Sequence, residues 1–119
     1  MISKWDVYYI QSCAYTHPNP KPKFVVIVHL NPIPHGFLIN TKINDFIKNK
    51  PYLLQCEAKI YAGLHQNSFL VHDSYVDCRD IFPFQTEELT DRKGKLCYEA
   101  IQAVLECQRA LENVPLVGS

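Results

Sequence analysis

The chain has no CxxC pair, no P-loop, no dinucleotide-binding glycine pattern, no HExxH and no GxSxG. The first absence excludes zinc sites that need closely spaced ligands. The others argue against nucleotide-driven catalysis, zinc proteolysis and the common hydrolase arrangement. The cysteines at 13, 56, 78, 97 and 107 are odd in number and scattered, so free thiols in a reducing cytoplasm are expected. The five histidines are scattered too, which gives no metal cluster and no cofactor to expect. No run approaches a membrane span, and MISKWDVYY lacks an apolar core long enough for a secretion signal. The expectation is a cytoplasmic protein that does not enter a membrane.

Arginine is missing from the first half. Residues 1–64 hold seven Lys against three acids, a balance of +4; residues 65–119 hold five basic residues against nine acids, a balance of −4. The formal total of zero argues against tight nonspecific DNA binding. The asymmetry permits a local basic groove or a dipolar surface that matches a charged partner, and ordinary surface variation also produces it.

A chain of 119 residues fits one domain over 1–119, and 47% hydrophobic residues allow a real core. Seven Tyr and six Phe can fill a small β core, supply interfaces or stack on bases. The periodicities predict strands near 5–10, 24–30, 37–41, 53–60 and 69–73. The strongest is 24–30, FVVIVHL, whose continuous apolar character suits a central strand. Three prolines make 12–23 a semi-rigid exposed arm. Residues 31–36 read as a turn or a short excursion. Ile43, Phe46 and Ile47 at helical spacing predict a short helix over 42–52, ended by Pro51. Residues 61–68 read as a connection around Gly63, 82–84 as a brief pairing segment and TEELTDRKGK as an acidic linker. Ile101, Val104, Leu105 and Leu111 form the apolar stripe of a closing helix over 96–111. The frame is mainly β with a C-terminal helix, a small SH3-like β-barrel.

The residues offer two candidate constellations. Lys21, Lys23, His35, Thr41 and Lys42 combine cations with a hydroxyl at a strand end. Such a set can hold a phosphate backbone and contact a scissile phosphate in RNA, where the 2′-hydroxyl is an internal nucleophile. Cleavage then needs acid–base help and stabilisation of phosphate charge, not a metal. The alternative is that the lysines solubilise, His35 sits in a turn and Thr41 ends a strand. The second set is Asp73, Asp77 and Arg79. Asp73 can orient a base or anchor the adjacent loop, and Arg79 can pair with Asp77 or Asp80, or touch RNA. His29 and His72 read as strand histidines, and Cys78 as a buried thiol without an activating histidine.

With those residues in view, the chain resembles the MazF/PemK superfamily of toxin endoribonucleases. Lys4-Trp5-Asp6-Val7-Tyr8 resembles its opening strand, and 21–28 its basic arm and following strand. Leu38-Ile39-Asn40-Thr41 resembles the segment ending in Ser or Thr, 69–76 the apolar-Asp-Gln strand, and Gly94-Lys95-Leu96 with Glu99 the closing segment. Lys23 stands in the place of the family's arginine, Phe24 of its proline, Ser74 of Gln and Val76 of Arg. The resemblance implies an SH3-like barrel, a homodimer, cleavage of single-stranded RNA without metal, and neutralisation by an antitoxin protein. It assigns catalysis to Lys23 and Thr41; the residues themselves lead us to expect His35 as a proton-transfer group, RNA binding by Lys21, Lys42 and Arg79, and a site-orienting role for Asp73 and Asp77. The alternative class is a non-enzymatic protein-binding module of the same fold that docks on and regulates a target.

Overall fold

The structure is a computed structural model, and it describes residues 1–43, 45–63 and 69–112. The elements are β1 (Asp6–Cys13), β2 (Lys21–His29), β3 (His35–Asn40), α1 (Asp45–Lys48), α2 (Pro51–Leu54), β4 (Glu57–Ile60), β5 (Ser74–Pro83), a 3₁₀ turn (Thr86–Glu88), β6 (Arg92–Lys95) and α3 (Tyr98–Glu112). The strands form one antiparallel sheet in the order β4-β5-β3-β2-β1-β6. This is the expected mostly β, SH3-like architecture with a C-terminal helix. No helix among the described residues is long and apolar enough to cross a membrane.

The unbroken apolar run of β2 has a direct cause. Val26 and Val28 point into a core with Val7, Ile39, Val76 and the α3 residues Ala100 and Val104. Val25 and Ile27 point the other way, into a second core with Tyr8, Ile10, Leu38, Phe84 and Leu89. A strand covered on both faces has no reason to alternate with polar residues. Gly36 marks where the sheet is tightest: a Cβ there would strike the Val26 carbonyl.

Several expectations need correction. The predicted strand at 69–73 does not form; Phe69 and Leu70 pack against the first core outside any ladder, and pairing begins at Ser74. Pro51 does not merely end a helix but opens a second one, because the first turn of a helix needs no proline N–H. The strand at 53–60 therefore shortens to β4. The polar linker contains β6, which pairs with β1 by backbone bonds despite having no apolar alternation. His35 lies in β3 opposite His29 and Pro83, not in a turn. His72 lies exposed before β5, not within an apolar strand. Ladders also run into both ends of the arm, to Cys13 and from Lys21, across an irregular register that accommodates Pro22. The expected connection at 61–68 lies mostly outside the described residues.

Candidate functional site

The arm between β1 and β2 is tied down by its own polar groups. The Thr16 hydroxyl lies 2.9 Å from the Cys13 and Asn19 carbonyl oxygens and accepts the Lys21 N–H at 2.8 Å. Tyr15 stacks on Phe82 at 4.3 Å, and its hydroxyl donates to the Pro83 carbonyl at 2.6 Å. The arm and sheet thereby enclose a cavity of about 260 Å³ lined by Tyr15, Thr16, His17, Lys21, Lys23, Leu38 and Asn40.

Lys23 is the pivot of this region. Its Nζ donates to Asn40 Oδ1 at 2.7 Å. Burial pushes its pKa down, as does Lys21, while Cys13 and the Asp77 carboxylate act to keep the proton. Lys23 also lines a second cavity of about 240 Å³ with Tyr9, Pro22, Phe24, Ile39 and Thr41. Tyr9 meets Phe24 edge-on at 5.5 Å, and the Lys93 ammonium lies 5.7 Å from the Tyr9 ring centre. A cation shared by two clefts, one polar and one aromatic, can bind a phosphate while apolar groups lie beside it.

From the first predicted set, Lys23 lines one cavity with Lys21 and another with Thr41. Lys42 follows Thr41 in an exposed turn. His35 is separated from them: it begins β3, roughly 17 Å from Asn40 at about 3.4 Å per residue, and its Nδ1 contacts the Ile33 carbonyl at 2.8 Å. Two other histidines line cavities with these residues. His17 lines the Lys23 cavity, and His72 lines a third cavity with Thr41, Phe24 and Phe69. His17 was legible as part of the arm; His72 required the chain path before β5.

The second set is divided. Asp73 Oδ1 accepts the Ala62 N–H at 2.9 Å, which ties the start of β5 to the end of β4. Asp77 accepts the Arg79 fork at 3.1 and 3.0 Å and the Arg79 backbone N–H at 3.1 Å. Burial acts to raise the Asp77 pKa, but those bonds outweigh it and hold the carboxyl below its ordinary value. Arg79 lines a cavity with His29, Phe37 and Cys78 rather than with the lysines. Cys78 is fully buried, and its thiol is pushed up by its hydrogen bond to Cys107 and by burial. Among the described residues no group of three or more His, Cys, Asp or Glu is placed to hold a metal ion.

Sequence reasoning missed Glu57. It is buried opposite Asp77 on the adjacent strand, and burial and Asp77 raise its carboxyl to about 8.

The sequence matches no family model and no curated protein. Solved structures do match. A mycobacterial endoribonuclease in complex with its cognate antitoxin superposes with a TM-score of 0.65 at 14% identity, over 98% of this chain and 99% of that one. The Mycobacterium tuberculosis toxin MazF-mt6 gives 0.64 at 14% identity, over 93% and 99%. A further mycobacterial endoribonuclease gives 0.61 at 14%, over 97% and 94%. At such identities the likeness is one of fold: the chain has the fold of MazF/PemK-like endoribonucleases.

Proposed function

We propose that this protein is a toxin-type endoribonuclease that cleaves single-stranded RNA, acts as a homodimer and is neutralised by an antitoxin polypeptide. The observation that carries the reading is Lys23, a half-buried ammonium fixed by Asn40 at the junction of two clefts, one of them lined by Thr41. The fold of known endoribonucleases, one of them bound to its antitoxin, supports it.

In this reading a ribose 2′-hydroxyl attacks the adjacent phosphorus. The new P–O bond closes a cyclic phosphate, the bond to the 5′-oxygen breaks, and that oxygen leaves with a proton. Lys23 stabilises the charge that builds on the phosphate, Thr41 positions it, and Lys21 and Lys42 hold flanking phosphates. In this reading His17, which lines a cavity with Lys23, and His72, which lines one with Thr41, take the proton-transfer role expected of His35.

Purified protein incubated with mixed-sequence single-stranded RNA in EDTA tests the reaction. New ends carrying cyclic phosphate and 5′-hydroxyl groups are expected, and they disappear in Lys23→Ala and Thr41→Ala variants that remain folded. Intact RNA under these conditions sinks the reading. The competing protein-binding role is favoured by the single amine at position 23, which lacks the planar fork for bidentate phosphate contact. It predicts toxicity that persists in Thr41→Ala without new RNA ends. Light scattering tests the dimer, and a monomeric mass throughout the micromolar range refutes it.

A further inference from the structure

The face of the sheet that carries Lys23 and Asn40 continues across two more strands. Leu38 lies opposite Asp77, and Asp77 opposite Glu57, so these side chains share that face. Glu57 is only 9% exposed, and neither of its carboxyl oxygens receives a hydrogen bond from a described N–H or O–H donor. Its polar neighbour is the Asp77 carboxylate, already clamped by Arg79 at 3.0 Å. Two ionised carboxylates in that contact would repel in a poorly solvated place. A proton between them removes the conflict, and Glu57 holds it because Arg79 stabilises the charge on Asp77.

We propose that Glu57 and Asp77, clamped by Arg79, form a proton-linked switch that regulates the charge of the Lys23 face. With the proton in place the pair carries one negative charge, matched by Arg79. Once it leaves, a second negative charge appears on the sheet, and Arg79 can match only one.

The neighbouring groups support this assignment. Asp77 lies opposite Glu57 on β5 with Arg79 bonded to it, while Cys78 of β5, Cys107 of α3 and the preceding Cys56 are close enough to feel its charge. Of these only Arg79 is cationic, and it is bonded to Asp77. Glu57 is therefore the carboxyl raised to about 8, while Asp77 is held low. The field of Asp77 already reaches Lys23. A second carboxylate on the next strand adds to that field and opposes an incoming phosphate. This last step rests on the proposed RNA-binding function; the proton switch does not.

The test measures binding of a short mixed-sequence single-stranded RNA by fluorescence anisotropy, in low salt where the screening length is about 20–30 Å. The protein is compared with Glu57→Gln from about pH 6.5 to about pH 9. The wild type is expected to lose on the order of threefold more affinity than the variant, in which Gln keeps a hydrogen bond to Asp77 at every pH. The titration of Lys23 is common to both proteins. An identical fall in both overturns the proposal. If neither protein binds RNA at any pH, the proposed function fails, and the switch is judged by the Glu57 carboxyl carbon resonance and by β4 amide exchange. A midpoint near 8, with β4 exchange that quickens above it in the wild type by more than the base-catalysed rise common to both proteins, sustains the switch. A midpoint in the ordinary carboxylate range overturns it. Should Glu57→Gln fail to fold, Asp77→Asn serves instead: removing that charge is expected to lower the Glu57 midpoint, and an unmoved midpoint overturns the proposal.

Discussion

Replacing Glu57 by Gln is expected to stabilise this protein at alkaline pH and to leave it nearly unchanged in mild acid. In the native state the Glu57 carboxyl is raised from 4.5 to about 8, by burial first and by Asp77 second. The folded chain therefore keeps a proton that the unfolded chain releases above about pH 4.5. Stability contributed by the protonated form is complete below that pH, declines as pH rises, and is lost once pH passes about 8. At about 1.4 kcal/mol per pH unit the full window corresponds to at most ~5 kcal/mol, and about 2–4 kcal/mol is a reasonable expectation. Gln presents an N–H donor to Asp77 at every pH and binds no proton, so its stability curve lacks this decline. Urea unfolding at about pH 5 and about pH 8.5 gives the comparison. The two proteins should agree within ~1 kcal/mol at the lower pH and separate by about 2–4 kcal/mol at the higher, a melting difference of roughly 8–15 °C. Asp77, held low by Arg79, contributes the opposite dependence, and only in stronger acid. Parallel curves for wild type and variant across the whole range would refute the reasoning.

Gly36→Ala should cost about 2–4 kcal/mol in urea unfolding, because the new Cβ meets the backbone carbonyl of Val26, which cannot rotate away. A neutral result would mean that β2 and β3 separate without penalty. Asp6→Asn should cost about 1–3 kcal/mol, since the buried carboxylate accepts the Ser3 N–H at 2.9 Å and pairs with Arg92 at 3.1 Å. That loss is expected to change little with salt, unlike that of an exposed pair. Tyr15→Phe should cost about 1 kcal/mol through its bond to the Pro83 carbonyl and should speed amide exchange in the arm around Thr16. Unchanged exchange there would show that the Thr16 bonds alone hold the arm.

The parts of the fold that could be read in advance are those whose side chains record their burial. β2 is apolar throughout because it is covered on both faces, and α3 carries its stripe because Ala100 and Val104 face the sheet. β6 could not be read that way: in Arg-Lys-Gly-Lys the buried position is Gly94, which has no side chain to record it, and the strand's place is set by β1 and by the charge of Asp6. The apolar residues Phe69 and Leu70 suggested a strand because burial without pairing leaves the same trace as burial with it. Lys21, Lys23 and Thr41 were recognisable as chemistry near strand ends, whereas Asn40 needed the β2–β3 register. Glu57 was harder still. A single acid in a short apolar segment carries no signal until Asp77, far along the chain, is placed opposite it.

The pairing of β1 with β6 has a consequence for how the chain is made. Asp6 lies opposite Lys95, and the Leu96 N–H donates to the Trp5 carbonyl at 3.0 Å. A ribosome adding about 5–20 residues per second needs roughly 5–20 s to pass from one partner to the other. Once β2 has been made, β1 has that neighbour but lacks its other one for the rest of the interval, and its outer edge of backbone donors and acceptors stays open to strands of other nascent chains. Synthesis on closely spaced ribosomes is therefore the stage at which this sheet is most exposed to mispairing, and slowing translation before residue 92 lengthens it.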